Sequence, residues 1–388
     1  TSKARLERFT QALQELVDRH DILRTGVHWQ GLEQAVQVVR RQVKLAVDTV
    51  HFDPRQGEVQ AQLEALLDPS EHRLDVSRAP LLKCLQTEDE AHRRWLLGIV
   101  VHHLAIDHTT LEMLVEEAQA IERGQRERLS RPAAFRNFVA QARLGVSEAE
   151  HEAFFSEMLG SVQEPTAPYG VLDVQGDGSG VQEIQRELQA PLAQAIRQQA
   201  RRLGVSAASV MHLAWSVVLG RLTGRTEVVF GTVLFGRMQG GEQADRVMGM
   251  FINTLPVKVA VGEQDVAQGL KDTHALLARL LRHEHAPLAL AQRCSGVGAQ
   301  TPLFTTLLNY RHTSAPAAAA QQELPDDGIE SLSGHERTNY PLTLSVDDLG
   351  AGFRLVLQAR APIEAQRVYG YMEAALGGLL AALNEAGS

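Results

Sequence analysis

Apolar side chains at Leu6, Phe9, Leu13, Leu16 and Val17 recur every three or four residues, which predicts a helix over 3–20 with one inward face. Residues 26–50 alternate as strands do, and 59–67 returns to helical spacing. The run Trp95-Leu96-Leu97-Gly98-Ile99-Val100-Val101 has the apolar character of a buried strand. Leu111, Leu114, Val115, Ala118 and Ile121 then mark one side of a helix, and Thr109 and Glu112 have the spacing of a capping box that opens it. Another helix over 148–160 carries Phe154, Phe155, Met158 and Leu159. Pro165, Pro168, Gly170, Gly176, Gly178 and Gly180 interrupt the pattern, so a boundary between two lobes is expected within 163–180. Beyond it, helices are predicted over 192–203 and, capped by Ser206, through Leu222; strands, loops and helices then alternate up to a closing helix over 365–383. The alanine-rich stretch 315–322 reads as a surface loop. Strands mixed with helices in both halves predict an α/β fold, an α+β sandwich in each lobe.

Between the buried strand and the helix that follows lies His102-His103-Leu104-Ala105-Ile106-Asp107-His108. A strand-to-helix junction exposes unbonded backbone N–H groups, and a neutral imidazole placed there can take or relay a proton near pH 7. The carboxylate of Asp107 can hold a neighbouring group or a cation. Adjacent histidines on extended backbone point to opposite sides, so His102 and His103 make a poor chelating pair, and no metal site is expected. His283-Glu284-His285 places both imidazoles on one side if extended, but its neighbours read as a solvated element. No convincing G-x-S-x-G elbow is present.

The length of 388 residues exceeds one typical core, in keeping with two lobes. A net charge of −9 argues against nucleic acid as a partner. Cys84 and Cys294 offer neither a disulfide framework nor metal-ligand spacing and read as free thiols of a cytoplasmic protein. No signal peptide opens the chain and no run of eighteen apolar residues occurs, so no membrane partner is expected.

The junction stretch resembles the HHxxxDG signature of condensation domains from nonribosomal peptide synthetases. Other blocks are similar to that family in the same order: Val17–Thr25 to the RHexLRT segment, Leu74–Leu82 to FDlsxaPLl, Phe230–Arg237 to vFGtvvsGR, and Val247–Pro256 to vGlfiNTlP. Pro302-Leu303-Phe304 and Asn339-Tyr340-Pro341-Leu342 fit the later blocks, so the resemblance covers nearly the whole chain. It implies a V-shaped pseudo-dimer of two chloramphenicol acetyltransferase-like lobes with a substrate tunnel between them. The first lobe would span 1–165, a linker 166–180 and the second lobe 181–388, with a latch near 245–258. The family usually opens with a strand and an SxAQ-type block, whereas this sequence starts at the helix after them; without that segment the first lobe would lack an element.

The resemblance implies an acyltransferase that forms an amide between a donor acyl or peptidyl thioester and the amine of an acceptor aminoacyl thioester. Both would ride on the phosphopantetheine arms of carrier proteins, so the domain itself needs no cofactor. Its partners would be the donor and acceptor peptidyl carrier proteins and an adjacent adenylation domain, and the domain would be monomeric. The catalytic motif maps onto His102, His103 and Asp107. His103 would be general base or amine positioner, His102 would pack under the strand end, and Asp107 would form a structural ion pair with Arg24. His108 stands where the family has glycine, and would narrow the tunnel or add a second imidazole. Gly249 and Asn253 would belong to latch architecture; Asn309, Asn339, Tyr340 and Ser345 are tunnel positions or plain strand positions. Arg237 could face a phosphopantetheine phosphate, with a surface or ion-pair role favoured. Alternatives within the same resemblance are a dual epimerisation/condensation domain, a fatty-acyl starter domain and a non-catalytic docking module.

Overall fold

The first apolar pattern becomes helix α1 (Lys3–Arg19), on which Leu6, Phe9, Ala12, Leu13, Leu16 and Val17 are all buried. The Ser2 hydroxyl caps it by accepting the Arg5 N–H, and His20 ends it in an extended conformation. The computed structural model describes residues 1–68, 73–174, 180–237, 246–262, 265–312, 329–330, 332 and 338–385. The chain divides into two compact units: one holds 1–144, 235–252 and 329–330, and the other holds most of the remainder.

In the first unit, β1 (Thr25–His28) and β2 (Val36–Val39) form an antiparallel hairpin. A three-stranded sheet has the order β3 (Ala46–Thr49), β4 (Leu82–Asp89) and β5 (Arg94–Val101), with helix α2 (Val59–Leu66) between β3 and β4 in the chain. β3 lies parallel to β4, and β4 antiparallel to β5. Along β5, the backbone of Thr1 exchanges hydrogen bonds with that of Trp95. Helices α3 (His108–Glu122) and α4 (Phe135–Leu144) complete the unit. Leu13, Leu16, Leu82, Cys84, Ile106 and Leu114 share one core with Phe135, Met248 and Phe251. Burial there pushes the Cys84 thiol up to about 12, so it packs as a hydrophobe and offers no nucleophile.

The second unit is built on a six-stranded sheet. In chain order its elements are α5 (Glu148–Leu159), β6 (Val181–Glu187), α6 (Ala190–Leu203), α7 (Ala207–Thr223), β7 (Glu227–Leu234), β8 (Asn253–Ala260) and α8 (Val266–Leu281). After these come α9 (Leu288–Arg293), β9 (Thr306–His312), β10 (Leu342–Asp348), β11 (Phe353–Arg360) and α10 (Ala365–Glu385). The strand order is β6-β11-β10-β9-β7-β8, parallel at β9–β10 and β9–β7 and antiparallel elsewhere. Strand β11 shows strict alternation: Phe353, Leu355, Leu357 and Ala359 are buried while the residues between them are partly exposed. Helix α7 is apolar almost all round and correspondingly buried, with Trp215 at its centre.

The expected boundary moves. The chain divides after Leu144, and Phe154, Phe155, Met158 and Leu159 of α5 lie in the core of the second unit. The proline-bearing stretch around 165 is no linker either. The Thr166 N–H donates to the Leu303 carbonyl, and its hydroxyl accepts the Val229 N–H at 2.8 Å. Proline and glycine mark where helices stop, and here the stopped chain is bonded onto the second unit's sheet. The expected loop 315–322, residues 175–179 of the expected linker and the latch's first residue, 245, lie outside the described residues.

Candidate active site

The histidine stretch forms the turn between β5 and α3 in the first unit. The His102 N–H donates to the Leu81 carbonyl at 3.0 Å, the last bond at this end of the strand pair. Its own carbonyl accepts the N–H groups of Ala105 and Ile106, which winds the next residues into a tight turn. Nδ1 of His102 accepts the Leu104 N–H at 3.1 Å, so in the neutral ring the proton sits on Nε2. Burial, and then the neighbouring His103, hold its pKa below the ordinary histidine value. This imidazole is neutral at pH 7 and pinned to the turn.

His103 is exposed. Its Nδ1 lies 3.0 Å from the Ile106 carbonyl oxygen, an atom that can only accept, so Nδ1 carries the proton. In the neutral ring the lone pair is then on Nε2. The turn thus holds this imidazole in one tautomer through a bond to its own backbone.

Asp107 is buried, 2% exposed. Its extended backbone makes it the N-cap of α3, with Oδ1 accepting the Thr110 N–H at 2.7 Å. The expected capping box at Thr109 and Glu112 is therefore not formed. The helix begins at His108, earlier than the sequence spacing suggested, because the Asp107 carboxylate reaches the free N–H first. His108 takes a helical backbone, needs no glycine-like conformation, and faces Glu112 one turn on, Nε2 to Oε1 at 3.3 Å. That contact holds the Glu112 carboxyl below its usual range.

Asp107 pairs with Arg237, not with Arg24. One Arg237 nitrogen lies 3.1 and 3.2 Å from the two carboxylate oxygens, and the Phe251 N–H donates to Oδ2 at 3.3 Å. Arg237 also donates to the Val247 carbonyl at 2.8 Å and lies over the Phe251 ring, 4.0 Å from its centroid. Arg24 is drawn elsewhere: its guanidinium donates to the Arg40 carbonyl at 2.6 Å, and its own carbonyl accepts the Arg40 N–H. The partner comes from the segment 235–252, which enters this unit after β7. Gly236, at φ +64°, is required where that segment begins, since a Cβ would stand 2.0 Å from the Phe251 carbonyl oxygen. Gly249 packs on Phe135, where a Cβ would meet the ring at 2.2 Å.

The other expected site residues belong to the second unit. Asn253 opens β8, and its side-chain amide donates to the Glu284 and Ala286 carbonyls, each at 2.8 Å, fixing the turn before α9. Asn309 and Ser345 are neighbours across the parallel β9–β10 pair, on the opposite side of the sheet from Leu344 and Val346. Oδ1 of Asn309 and Oγ1 of Thr343 on this side are buried without a hydrogen-bond partner among the described residues. Tyr340 stacks on Phe304 at 5.8 Å, and burial raises its hydroxyl pKa. The Asn339 side-chain amide donates to the Val174 carbonyl.

His283-Glu284-His285 is not solvated. His283 and Glu284 are buried, and His283 stacks on Phe154 with its Nδ1 2.9 Å from that of His151. Burial lowers the pKa of all three imidazoles in this cluster. Among the described residues no group of three or more histidine, cysteine or acidic side chains is arranged to hold a metal ion. The sequence carried no signal for His151, because its partner is 132 residues away.

The family model for the condensation domain matches residues 1–375. The chain is 47% identical over 378 residues to malpinin synthetase of Mortierella alpina, covering 97% of this chain and 5% of that protein. It thus spans a small part of the curated relative's length. Its fold is similar to a four-domain nonribosomal peptide synthetase bound to AMP and glycine, with a TM-score of 0.78 at 13% identity, covering 98% of this chain and 30% of that one. It is equally similar to the X-domain from teicoplanin biosynthesis, with a TM-score of 0.78 at 14% identity over 99% of this chain and 88% of that one.

Proposed function

The chain belongs to the condensation-domain family, and from that premise we propose that it forms an amide bond within a nonribosomal peptide synthetase. The donor is an acyl or peptidyl thioester and the acceptor an aminoacyl thioester, each on the phosphopantetheine arm of a carrier protein. The adjacent adenylation domain supplies the activated acceptor. Phosphopantetheine is thus a substrate-borne group, and the domain works with its own side chains.

The observation that carries this reading is the exposed His103 ring, held by the Ile106 carbonyl in the tautomer that leaves a lone pair on Nε2. The acceptor amine attacks the donor carbonyl, the new C–N bond forms, and the C–S bond breaks to release the donor arm as thiolate. His103 Nε2 takes the proton that the amine loses and returns it to the departing sulfur. A thioester is already activated, so holding amine and carbonyl together supplies a large share of the acceleration. His102 stays neutral and braces the turn. The Asp107–Arg237 pair supports the loop and touches no substrate.

The test is intact-mass spectrometry of an acceptor-loaded carrier protein mixed with a donor-loaded one, with and without this domain. The reading expects the acceptor carrier to gain the donor acyl mass only when the domain is present. Carriers that bind the domain while no transfer occurs across several donors would replace it with a docking role. A donor amino acid that changes configuration on transfer would assign the dual epimerising subtype.

A further inference from the structure

The Thr110 side chain has no part in the reaction above, yet its hydroxyl makes three hydrogen bonds within the first unit's site. It donates to the Gly249 carbonyl at 2.8 Å, accepts the Gly249 N–H at 3.0 Å and accepts from Arg237 at 3.1 Å. One donor and two acceptors are all that a hydroxyl offers, so it is fully used. The residue is completely buried, and its own N–H completes the Asp107 cap at 2.7 Å. A Cβ at Gly249 would stand 2.2 Å from the Phe135 ring, so glycine is needed where this backbone is held between that ring and the Thr110 hydroxyl.

We infer that Thr110 is a positioning residue: its hydroxyl fixes both the backbone of Gly249 and the guanidinium of Arg237 to α3, and so holds the Asp107 cap that shapes the His103 turn. The connections run in series. Arg237 bonds Thr110 and Asp107 together, Asp107 starts the helix, and the residue before Asp107, Ile106, carries the carbonyl that orients His103. Without the hydroxyl, the Gly249 N–H and carbonyl are both left in a buried place without their partner, and the segment 246–252 has reason to move. With it, the segment has one register against α3. The inference deepens the amide-forming reading and rests on it for its kinetic arm.

The experiment uses the whole chain with loaded carriers and compares Thr110→Val, Thr110→Ser and Ile121→Val, the last a packing change at the other end of the same helix. Thr110→Val is expected to lower kcat about tenfold or more, the effect of losing one to two buried hydrogen bonds in the reacting arrangement. KM for both carriers should stay unchanged, and Thr110→Ser should restore kcat to within about twofold. Ile121→Val should lose stability but keep the wild-type kcat. Hydrogen exchange of the peptide 246–252 should speed up in Thr110→Val and not in Thr110→Ser. The inference is overturned if Thr110→Val keeps its kcat, if serine does not rescue it, or if exchange at 246–252 is unchanged. Absence of transfer by the wild-type chain would overturn the amide-forming reading instead, and the exchange result would still decide the role of Thr110.

Discussion

Arg237→Met removes the guanidinium from Asp107 while keeping an unbranched apolar stem against Phe251. The Asp107 carboxylate, 2% exposed, then has the N–H groups of Thr110 and Phe251 as its remaining partners among the described residues. Breaking a buried ion pair by removing one member costs about 3–5 kcal/mol, because a charge is left uncompensated in a poorly solvated place. The two amide donors soften that cost, so the expected loss is about 3 kcal/mol, the lower end of that range. Arg24→Met is the control: it loses a bond to the Arg40 carbonyl and no contact with Asp107, so it should cost only about 1 kcal/mol. In Asp107→Asn/Arg237→Met the stranded charge is gone, and the double variant should recover about 2 kcal/mol relative to the sum of the single ones. Urea unfolding gives the free energies, and hydrogen exchange at 107–112 and 246–252 locates the loss. A cost for Arg237→Met near that of a surface pair, below about 1 kcal/mol, would refute the assignment. So would a coupling of Asp107 to Arg24 larger than its coupling to Arg237.

Two further outcomes are expected. Gly249→Ala forces a methyl group against Phe135 and should destabilise the first unit by about 1–3 kcal/mol, partly relieved by Phe135→Leu, as read by urea unfolding. His212 is buried in the second unit, where it donates to the Ala208 carbonyl and accepts from the Thr232 hydroxyl, and desolvation lowers its pKa to about 4. Because the unfolded chain binds this proton near pH 6.5 and the folded chain does not, its contribution is present above 6.5 and is lost as pH falls toward 4. That is about 3 kcal/mol, and it should flatten in His212→Gln when unfolding is followed across this range.

Local features of this chain were legible in its sequence. The helix α1, the strand before the histidines and the helix after them follow from apolar spacing alone, although that strand is only partly buried, with Leu96 and Gly98 alone fully inside, and the hydrogen bonds within the His103 turn connect residues two to four apart. Partners far apart in the sequence were not legible. Asp107 and Arg237 are separated by 130 residues, Thr110 and Gly249 by 139, and His151 and His283 by 132. Spacing within a motif says nothing about such pairs: Arg24 and Arg237 both lie in matching blocks, and nothing in the sequence shows which of them reaches Asp107. The start of α3 differs for a related reason: Thr109 and Glu112 have the right spacing for a cap, but the Asp107 carboxylate accepts the Thr110 N–H and starts the helix two residues earlier. Proline and glycine likewise located breaks in regular structure near 165 without revealing that the broken stretch is bonded to the second unit.

The most direct test of the account compares wild type and His103→Ala in a single turnover, with donor-loaded and acceptor-loaded carriers pre-bound and the acceptor carrier's mass read over time. Circular dichroism would first verify that both are folded. Since His103 is exposed and its Nδ1 bonds a carbonyl of its own turn, the fold should survive while transfer slows by about 10²-fold or more, the range for loss of a positioned acid–base group. Transfer by His103→Ala at the wild-type rate would contradict the account at its centre.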